Sequence, residues 1–244
     1  MRDKAYKLLA VQEGISNRAA KELIDRGVVY YRGKKVKIAR ADMSIDKGFF
    51  KIEKPKNYKI IFEDEFLFVV DKPPFITSEE IEKSSGHLLL HRLDQQTSGV
   101  LILCKDEDFR QKAIGEFKRK KVLKEYIAIV EGKFAEEMTI DVPIITIKGK
   151  TALSKVSKKG DRAITVVEPL EIEGKKSKVK VTIYTGRTHQ IRAHLKHVGH
   201  SIIGDEKYGG KPSKRVMLHA CRVEILDYKF EAKEPKEFDK FGHS

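Results

Sequence analysis

The chain predicts an α+β or mixed-sheet fold, because strand-like and helix-like segments interleave along its 244 residues without an internal repeat. Two further observations frame that reading. A basic stretch of two short helices and a hairpin is set off by Lys54-Pro55-Lys56-Asn57, where proline and charge interrupt the periodicity. The apolar, β-branched run Val100-Leu101-Ile102-Leu103, followed by charged Lys105-Asp106-Glu107-Asp108, reads as a buried strand. Two domains are therefore expected, residues 1–54 and residues 55–244.

In chain order, Tyr6, Leu8, Leu9 and Val11 suggest a first helix that ends near Gly14. Ser16 suits the N-cap of a second helix carrying Ala19, Ala20, Leu23 and Ile24, and Gly27 should stop it. A hairpin follows, with strands at Val28–Tyr31 and Val36–Ile38 around a turn at Arg32-Gly33-Lys34, and another strand lies near Phe49–Ile52. Ile60–Phe62 and Phe66–Val70 read as strands around the acidic turn Glu63-Asp64-Glu65. Residues 76–87 look irregular and polar. Phe109–Lys120 should be helical, and Glu125–Val130, Ile164–Val167 and Val179–Ile183 should be strands, with Gly174 at the turn between the last two. Thr188 is placed to cap a helix with Ile191, Leu195 and Val198 on one face, and Arg192 and Lys196 on another.

The formal charge is +14, a bias toward a polyanionic partner. Residues 1–55 hold 14 Lys and Arg against 7 Asp and Glu. No segment joins basic residues to a strongly apolar face, so nucleic acid is favoured over a membrane. No run is long enough to span a bilayer and no secretory signal opens the chain, which points to the cytosol. Cys104 and Cys221 sit among apolar residues and are expected to be reduced.

The stretch His91-Arg92-Leu93-Asp94-Gln95-Gln96-Thr97-Ser98-Gly99 places one carboxylate among hydrogen-bonding side chains, on a loop feeding the buried strand. Alone, Asp94 is as readily a turn cap or a partner of Arg92. His91-Arg92 lacks the spacing and the glycine-rich loop of a kinase, and Thr97-Ser98-Gly99 lacks the glycine pattern of a nucleophile elbow. His189, His194, His197 and His200 are spaced poorly for a metal and are read as structural or RNA-facing.

Residues 1–52 resemble the small RNA-binding domain named after the fourth protein of the small ribosomal subunit. The matching pattern runs through Ser16, Arg18, Ala20, Ile24, Gly27 and Val29, with Arg32-Gly33 where that family usually has Asn-Gly. The resemblance implies that Arg18, Lys21 and Arg26 lie near phosphates. A merely solvated basic helix is the plainer alternative.

Across residues 60–226, six segments taken together closely resemble the RluA-type pseudouridine synthases. These are Asp71-Lys72-Pro73, His91–Gly99, Lys124-Glu125-Tyr126-Ile127-Ala128, Gly186–Arg192, and Ile203-Gly204-Asp205-x-x-Tyr208-Gly209 with Leu218-His219-Ala220 beyond it. The sequence departs from that family after Pro73, where Pro74-Phe75-Ile76-Thr77-Ser78 replaces its usual small residue, Gly and His-Pro segment. The resemblance implies a central mixed, mostly antiparallel sheet flanked by helices and loops. It further implies Asp94 as the nucleophile, Arg192 as its basic partner, Tyr126 stacking on uracil and assisting proton removal, and Leu218 packing beneath the base. His91, Arg92 and Gln95 would flank the pocket into which a uridine is flipped. The implied reaction is isomerisation of uridine within RNA, with no cofactor and no metal. Ribosomal RNA is expected ahead of tRNA, and a monomer is the default. A non-catalytic RNA-binding or ribosome-assembly factor on the same fold remains the rival reading.

Overall fold

The computed structural model describes residues 2–45, 48–53, 57–147 and 152–239. The expected linker residues Lys54, Pro55 and Lys56 lie outside them. The chain divides into two compact units, Met1–Asn57 and Tyr58–Ser244.

The first unit contains β1 (Arg2–Lys4), α1 (Ala5–Glu13), α2 (Asn17–Asp25), β2 (Val29–Tyr31), β3 (Lys34–Lys35), β4 (Asp42–Ser44) and β5 (Phe50–Ile52). Gly14 closes α1 in the left-handed conformation, and the Ser16 side chain accepts the Ala19 amide at 3.1 Å to open α2. Tyr30 pairs with Lys35 and Tyr31 with Lys34, so only Arg32 and Gly33 turn the hairpin. Both have positive φ, 48° and 75°, as a two-residue hairpin turn requires. Lys34 therefore belongs to β3, and Val36–Ile38 does not continue the strand as expected. β5 completes a three-stranded sheet beside β2, and β1 pairs with β4, a pairing of short polar strands that carried no alternation to read.

The second unit is organised by a ten-stranded sheet. Its elements are β6 (Lys59–Glu63), β7 (Leu67–Lys72), α3 (Ser78–Ser85), β8 (Leu88–Leu89), β9 (Ser98–Cys104), α4 (Glu107–Lys118), β10 (Leu123–Glu131), β11 (Met138–Asp141), β12 (Ile144–Ile147), β13 (Leu153–Val156), β14 (Ile164–Glu173), β15 (Lys176–Ile183), α5 (Gln190–His197), β16 (Leu218–Ile225), β17 (Tyr228–Glu231) and α6 (Lys236–Asp239). The sheet order is β11-β14-β15-β10-β16-β9-β7-β6, with β17 beside β16 and β8 beside β9; β12 and β13 form a separate pair. Every pairing is antiparallel except β16 with β9. The sheet is thus mixed and mostly antiparallel.

Both faces are covered at its centre, which explains why β9 is an unbroken apolar run. Leu101 and Leu103 join a core that includes Ile191 and Leu195 of α5, whereas Val100, Ile102 and Cys104 join another with Ala113 of α4. Residues 76–87 depart from the irregular segment expected there. Thr77 and Glu80 form a reciprocal capping box, with Glu80 Oε2 accepting the Thr77 amide at 2.8 Å and Thr77 Oγ1 accepting the Glu80 amide at 3.1 Å. That Thr-x-x-Glu signal stands in the sequence, but low apolar content masked it.

The parallel join of β9 to β16 brings Ser98 opposite His219 and Gly99 opposite Ala220. Gly99 has φ 113°, and a Cβ there would lie 2.1 Å from the Ala220 carbonyl oxygen, so only glycine fits. Buried Arg215 donates from Nη2 to Ser98 Oγ at 2.8 Å. The Ser98 hydroxyl proton is then directed at His219 Nδ1, 2.8 Å away, and His219 Nε2 meets the Ala232 carbonyl at 3.2 Å. Burial pushes the His219 imidazole down from 6.5 to about 4, against the pull of the Ala232 carbonyl. Between those values the unfolded chain binds the proton and the folded chain does not, so stability falls as pH drops from 6.5 toward 4. His219→Asn should flatten that decline by up to roughly 3 kcal/mol in urea titrations across this window. An unchanged slope would mean that His219 is protonated in the folded protein.

Candidate active site

The loop before β9 is tied down on every side. Leu93 exchanges two hydrogen bonds with Ser78 Oγ of α3, at 3.0 and 3.1 Å. The Asp94 carbonyl accepts the Thr97 amide at 3.0 Å, which closes a tight turn. The Gln95 carbonyl accepts from the Phe75 amide at 2.8 Å and from Lys72 Nζ at 3.1 Å. Lys72 is fully buried, and its ammonium also reaches the Pro73 and Ile76 carbonyls. The Gln96 side chain accepts the Val216 amide at 3.1 Å. These contacts fix the backbone of Asp94 before any substrate arrives, which is the physical requirement for a positioned reacting group.

The Asp94 side chain is 29% exposed and faces α5. Arg192 Nη1 donates to its Oδ2 at 3.0 Å. The same guanidinium donates from Nε and Nη2 to Asp205, at 2.7 and 2.8 Å, and lies 4.8 Å from the centre of the Tyr208 ring. Asp205 is 1% exposed. Burial opposes the Arg192 charge, but the hydrogen bonds and charge of Asp205, helped by Asp94, more than offset it and raise its pKa. Arg192 is thus a fixed cation held by one carboxylate and offered to another. Among the described residues no donor reaches Asp94 Oδ1, so one carboxylate oxygen is held and the other is open.

A second chain of contacts approaches from behind. The Tyr208 hydroxyl accepts the Ser154 amide at 2.8 Å and lies 2.9 Å from His189 Nδ1. The His189 ring thus lies between the Tyr208 hydroxyl at Nδ1 and Asp94, whose Oδ2 is 3.8 Å from Nε2. Burial pushes His189 down to about 4, so it is neutral at physiological pH despite the carboxylate beside it. His189, at φ 52°, precedes the first residue of α5 without a side-chain cap. This corrects the expected role of Thr188: Gln190 Oε1 instead accepts from the Arg187 amide at 3.1 Å and from Thr185 Oγ1 at 2.8 Å. Arg192 and Lys196 stand four residues apart on α5, with Arg192 buried by its ion pair and Lys196 exposed.

Tyr126 is buried on β10, in register with Ala220 of β16 and Val181 of β15. Leu218, buried at the start of β16, belongs to the same apolar core. Burial pushes the Tyr126 phenol well above its ordinary range, and the charge of Asp94 adds to the rise. Asp94 and Arg192 are therefore in direct contact, and Tyr126 lies within the carboxylate's electrostatic reach. The other expected pocket residues are engaged differently. His91 Nε2 accepts the Ile102 amide at 3.1 Å, which ties the loop to β9. Arg92 is exposed and pairs with Glu79 at 2.8 Å. Gln95 holds the loop through its carbonyl. In the first unit, Arg18 pairs with Glu22 at 3.1 Å, Lys21 lies 4.2 Å from the Tyr6 ring centre, and Arg26 is half-buried.

Sequence reasoning gave no role to Asp205 or Tyr208, although both stand in the Gly204-Asp205-x-x-Tyr208 motif. It read the histidines more broadly than the structure does. His194 is buried between Thr165 Oγ1 and the Val142 carbonyl, at 2.8 and 3.0 Å, and His200 lies 2.7 Å from the Glu131 carbonyl. No group of three metal-ligating side chains occurs among the described residues, and no helix among them is long and apolar enough to cross a membrane.

Residues 49–197 match the family model for RNA pseudouridylate synthase. An uncharacterized RNA pseudouridine synthase of Helicobacter pylori (strain J99) is 51% identical over 97% of this chain and 99% of its own length. Ribosomal large subunit pseudouridine synthase D of Haemophilus influenzae is 28% identical over 63% of this chain and 53% of its own. The mitochondrial tRNA pseudouridine(32) synthase of Saccharomyces cerevisiae is 34% identical over 62% of this chain and 37% of its own. Human RNA pseudouridylate synthase domain containing 1 superposes with a TM-score of 0.65 at 25% identity, covering 73% of this chain and 84% of that structure. The family match spans more than half of the chain and a relative matches it end to end, so the chain belongs to the RluA-like RNA pseudouridylate synthases, isomerases of uridine in RNA.

Proposed function

We propose that this protein isomerises uridines of ribosomal RNA with Asp94 as nucleophile. The observation that carries the assignment of Asp94 is its divided carboxylate: Oδ2 is held by Arg192 at 3.0 Å, while no donor among the described residues reaches Oδ1, and its charge is felt by the buried Tyr126 phenol. In the reaction Asp94 bonds to carbon 1′ of the ribose as the N-glycosidic bond breaks, the uracil turns, and carbon 5 then displaces the carboxylate, its lost proton being balanced by one gained at N1 of the uracil. Arg192 orients the nucleophile, and Leu218 and the Tyr126 ring receive the base. With its pKa raised, Tyr126 is a phenol at neutral pH. It therefore takes up the carbon-5 proton only as it yields its own, acting as a relay rather than a ready-made phenolate. Tyr126→Phe, which keeps the ring, should lower kcat by about 10²–10⁴-fold and leave KM almost unchanged in single-turnover assays. Wild-type turnover in that variant would remove the hydroxyl from the mechanism.

The ribosomal assignment draws on the name of the Haemophilus influenzae relative and on the basic N-terminal domain expected over residues 1–54, read as an RNA-binding domain in which Arg18, Lys21 and Arg26 meet phosphates. The yeast relative makes tRNA the second reading. Incubating the purified protein with deproteinised ribosomal RNA and, separately, with tRNA decides between them by nucleoside mass spectrometry. Pseudouridine formed in ribosomal RNA supports the proposal, and pseudouridine formed only in tRNA moves the substrate. Binding without isomerisation of either would favour the non-catalytic reading.

A further inference from the structure

His189 brings an uncommitted nitrogen to the nucleophile. The residue stands at φ 52° just before α5, and its ring is edge-on to Tyr208, 5.7 Å between centroids. Nδ1 lies 2.9 Å from the Tyr208 hydroxyl, which the Ser154 amide holds from behind at 2.8 Å. The ring is therefore fixed before substrate arrives, with 13% of the side chain exposed. Nε2 is 3.8 Å from Asp94 Oδ2, too far for a hydrogen bond, and among the described residues no other group bonds to it. The basic groups that feel the Asp94 charge are otherwise engaged. Lys72 Nζ meets three carbonyls, Lys207 Nζ meets the Ala152 carbonyl, and Arg192 spans two carboxylates.

Attack on carbon 1′ opposite the departing uracil reaches the ribose on the face that carries its 2′-hydroxyl, two bonds from the reacting carbon. A group beside the attacking carboxylate therefore meets that hydroxyl. A hydroxyl both donates and accepts, so it suits Nε2 whichever nitrogen of the neutral ring carries the proton. Burial keeps the ring neutral at physiological pH, so His189 adds no charge that would draw Asp94 away from the ribose. We propose that His189 Nε2 hydrogen-bonds the 2′-hydroxyl of the target uridine and makes the site selective for ribose over deoxyribose at that nucleotide. The inference rests on the attack of Asp94 on the ribose proposed above and gives that sugar a second contact.

The test is single-turnover conversion, by the full chain, of an RNA oligonucleotide that it isomerises and of the same oligonucleotide with 2′-deoxyuridine at the target. His189→Asn keeps an amide where Nδ1 meets Tyr208, tolerates the positive φ, and has no atom at the Nε2 position. It should lower the rate on uridine about tenfold and leave the rate on 2′-deoxyuridine at the wild-type level. His189→Gln, whose amide reaches toward the Nε2 position instead, should keep more of the preference for uridine than His189→Asn. If His189 only anchors α5, each variant loses the same factor on both RNAs, and that result overturns the proposal. Where the 2′-deoxy RNA is not turned over, fluorescence anisotropy in the Asp94→Asn background makes the same comparison. There, adding His189→Asn should abolish the difference in affinity between the two RNAs, and an undiminished difference counts against the contact. A wild-type preference for uridine in His189→Asn, beside an inactive Asp94→Asn, removes the contact and leaves the nucleophile standing. Wild-type conversion by Asp94→Asn removes both.

Discussion

Asp94→Asn is expected to lower kcat for uridine isomerisation by at least roughly a thousandfold while leaving RNA affinity within about threefold of wild type. Asparagine keeps the shape of the side chain and can still accept from Arg192 Nη1 through its carbonyl oxygen. What it loses is the charge and the lone pairs of the open oxygen, so the loss falls on the chemical step. The loop should survive the change, because its ties run through backbone and neighbouring groups: Ser78 to Leu93, Lys72 to Gln95, and Val216 to Gln96. A rate within tenfold of wild type, measured by single-turnover conversion in an RNA known to be a substrate, would exclude Asp94 as nucleophile. A parallel loss of RNA affinity would instead mark the carboxylate as part of the binding surface.

The pairing of Asp94 with Arg192 was legible because both residues stand in motifs with a matching family. The strands were legible where alternation or an apolar run recorded burial, as at Val100–Leu103. The environment that makes the pair work was not. Asp205 sits 111 residues from Asp94 in sequence, and its burial depends on the folded path of residues 202–216. The same holds for His189: its spacing to the other histidines argued only against a metal, whereas its orientation depends on Tyr208 and Ser154. For His91 the motif suggested a place beside the pocket, and the structure adds that its Nε2 accepts the Ile102 amide. The polar helix α3 was missed because too few apolar residues mark its buried face: only Ser78 and Ile81 are buried. Sequence motifs recorded which groups meet, and long-range hydrogen bonds decided how each is held.

Asp205→Ala should cost about 3–5 kcal/mol of stability and most of the activity, for one reason. The guanidinium of Arg192, buried against the Tyr208 ring, gives Nε and Nη2 to Asp205 and only Nη1 to Asp94. Without Asp205 the cation loses two charged hydrogen bonds in a site that water barely reaches, and it gains by swinging fully onto Asp94. That movement would occupy the oxygen now left open. Conservative replacement of Arg192 has a related effect: in Arg192→Lys an ammonium carries the charge but lacks the planar fork that spans two carboxylates. Removing both buried partners separates stability from function. Asp205→Leu with Arg192→Met leaves no fully buried charge unpaired, because the Asp94 carboxylate it frees is 29% exposed and meets water, so urea denaturation should find it more stable than Asp205→Ala, while its isomerisation rate stays at the level of the single variant. A double variant no more stable than Asp205→Ala would sink this account of the buried pair. If the expected recovery occurs without activity, the Arg192–Asp205 pair is retained for the direction it gives Asp94, and its contribution to folding is incidental.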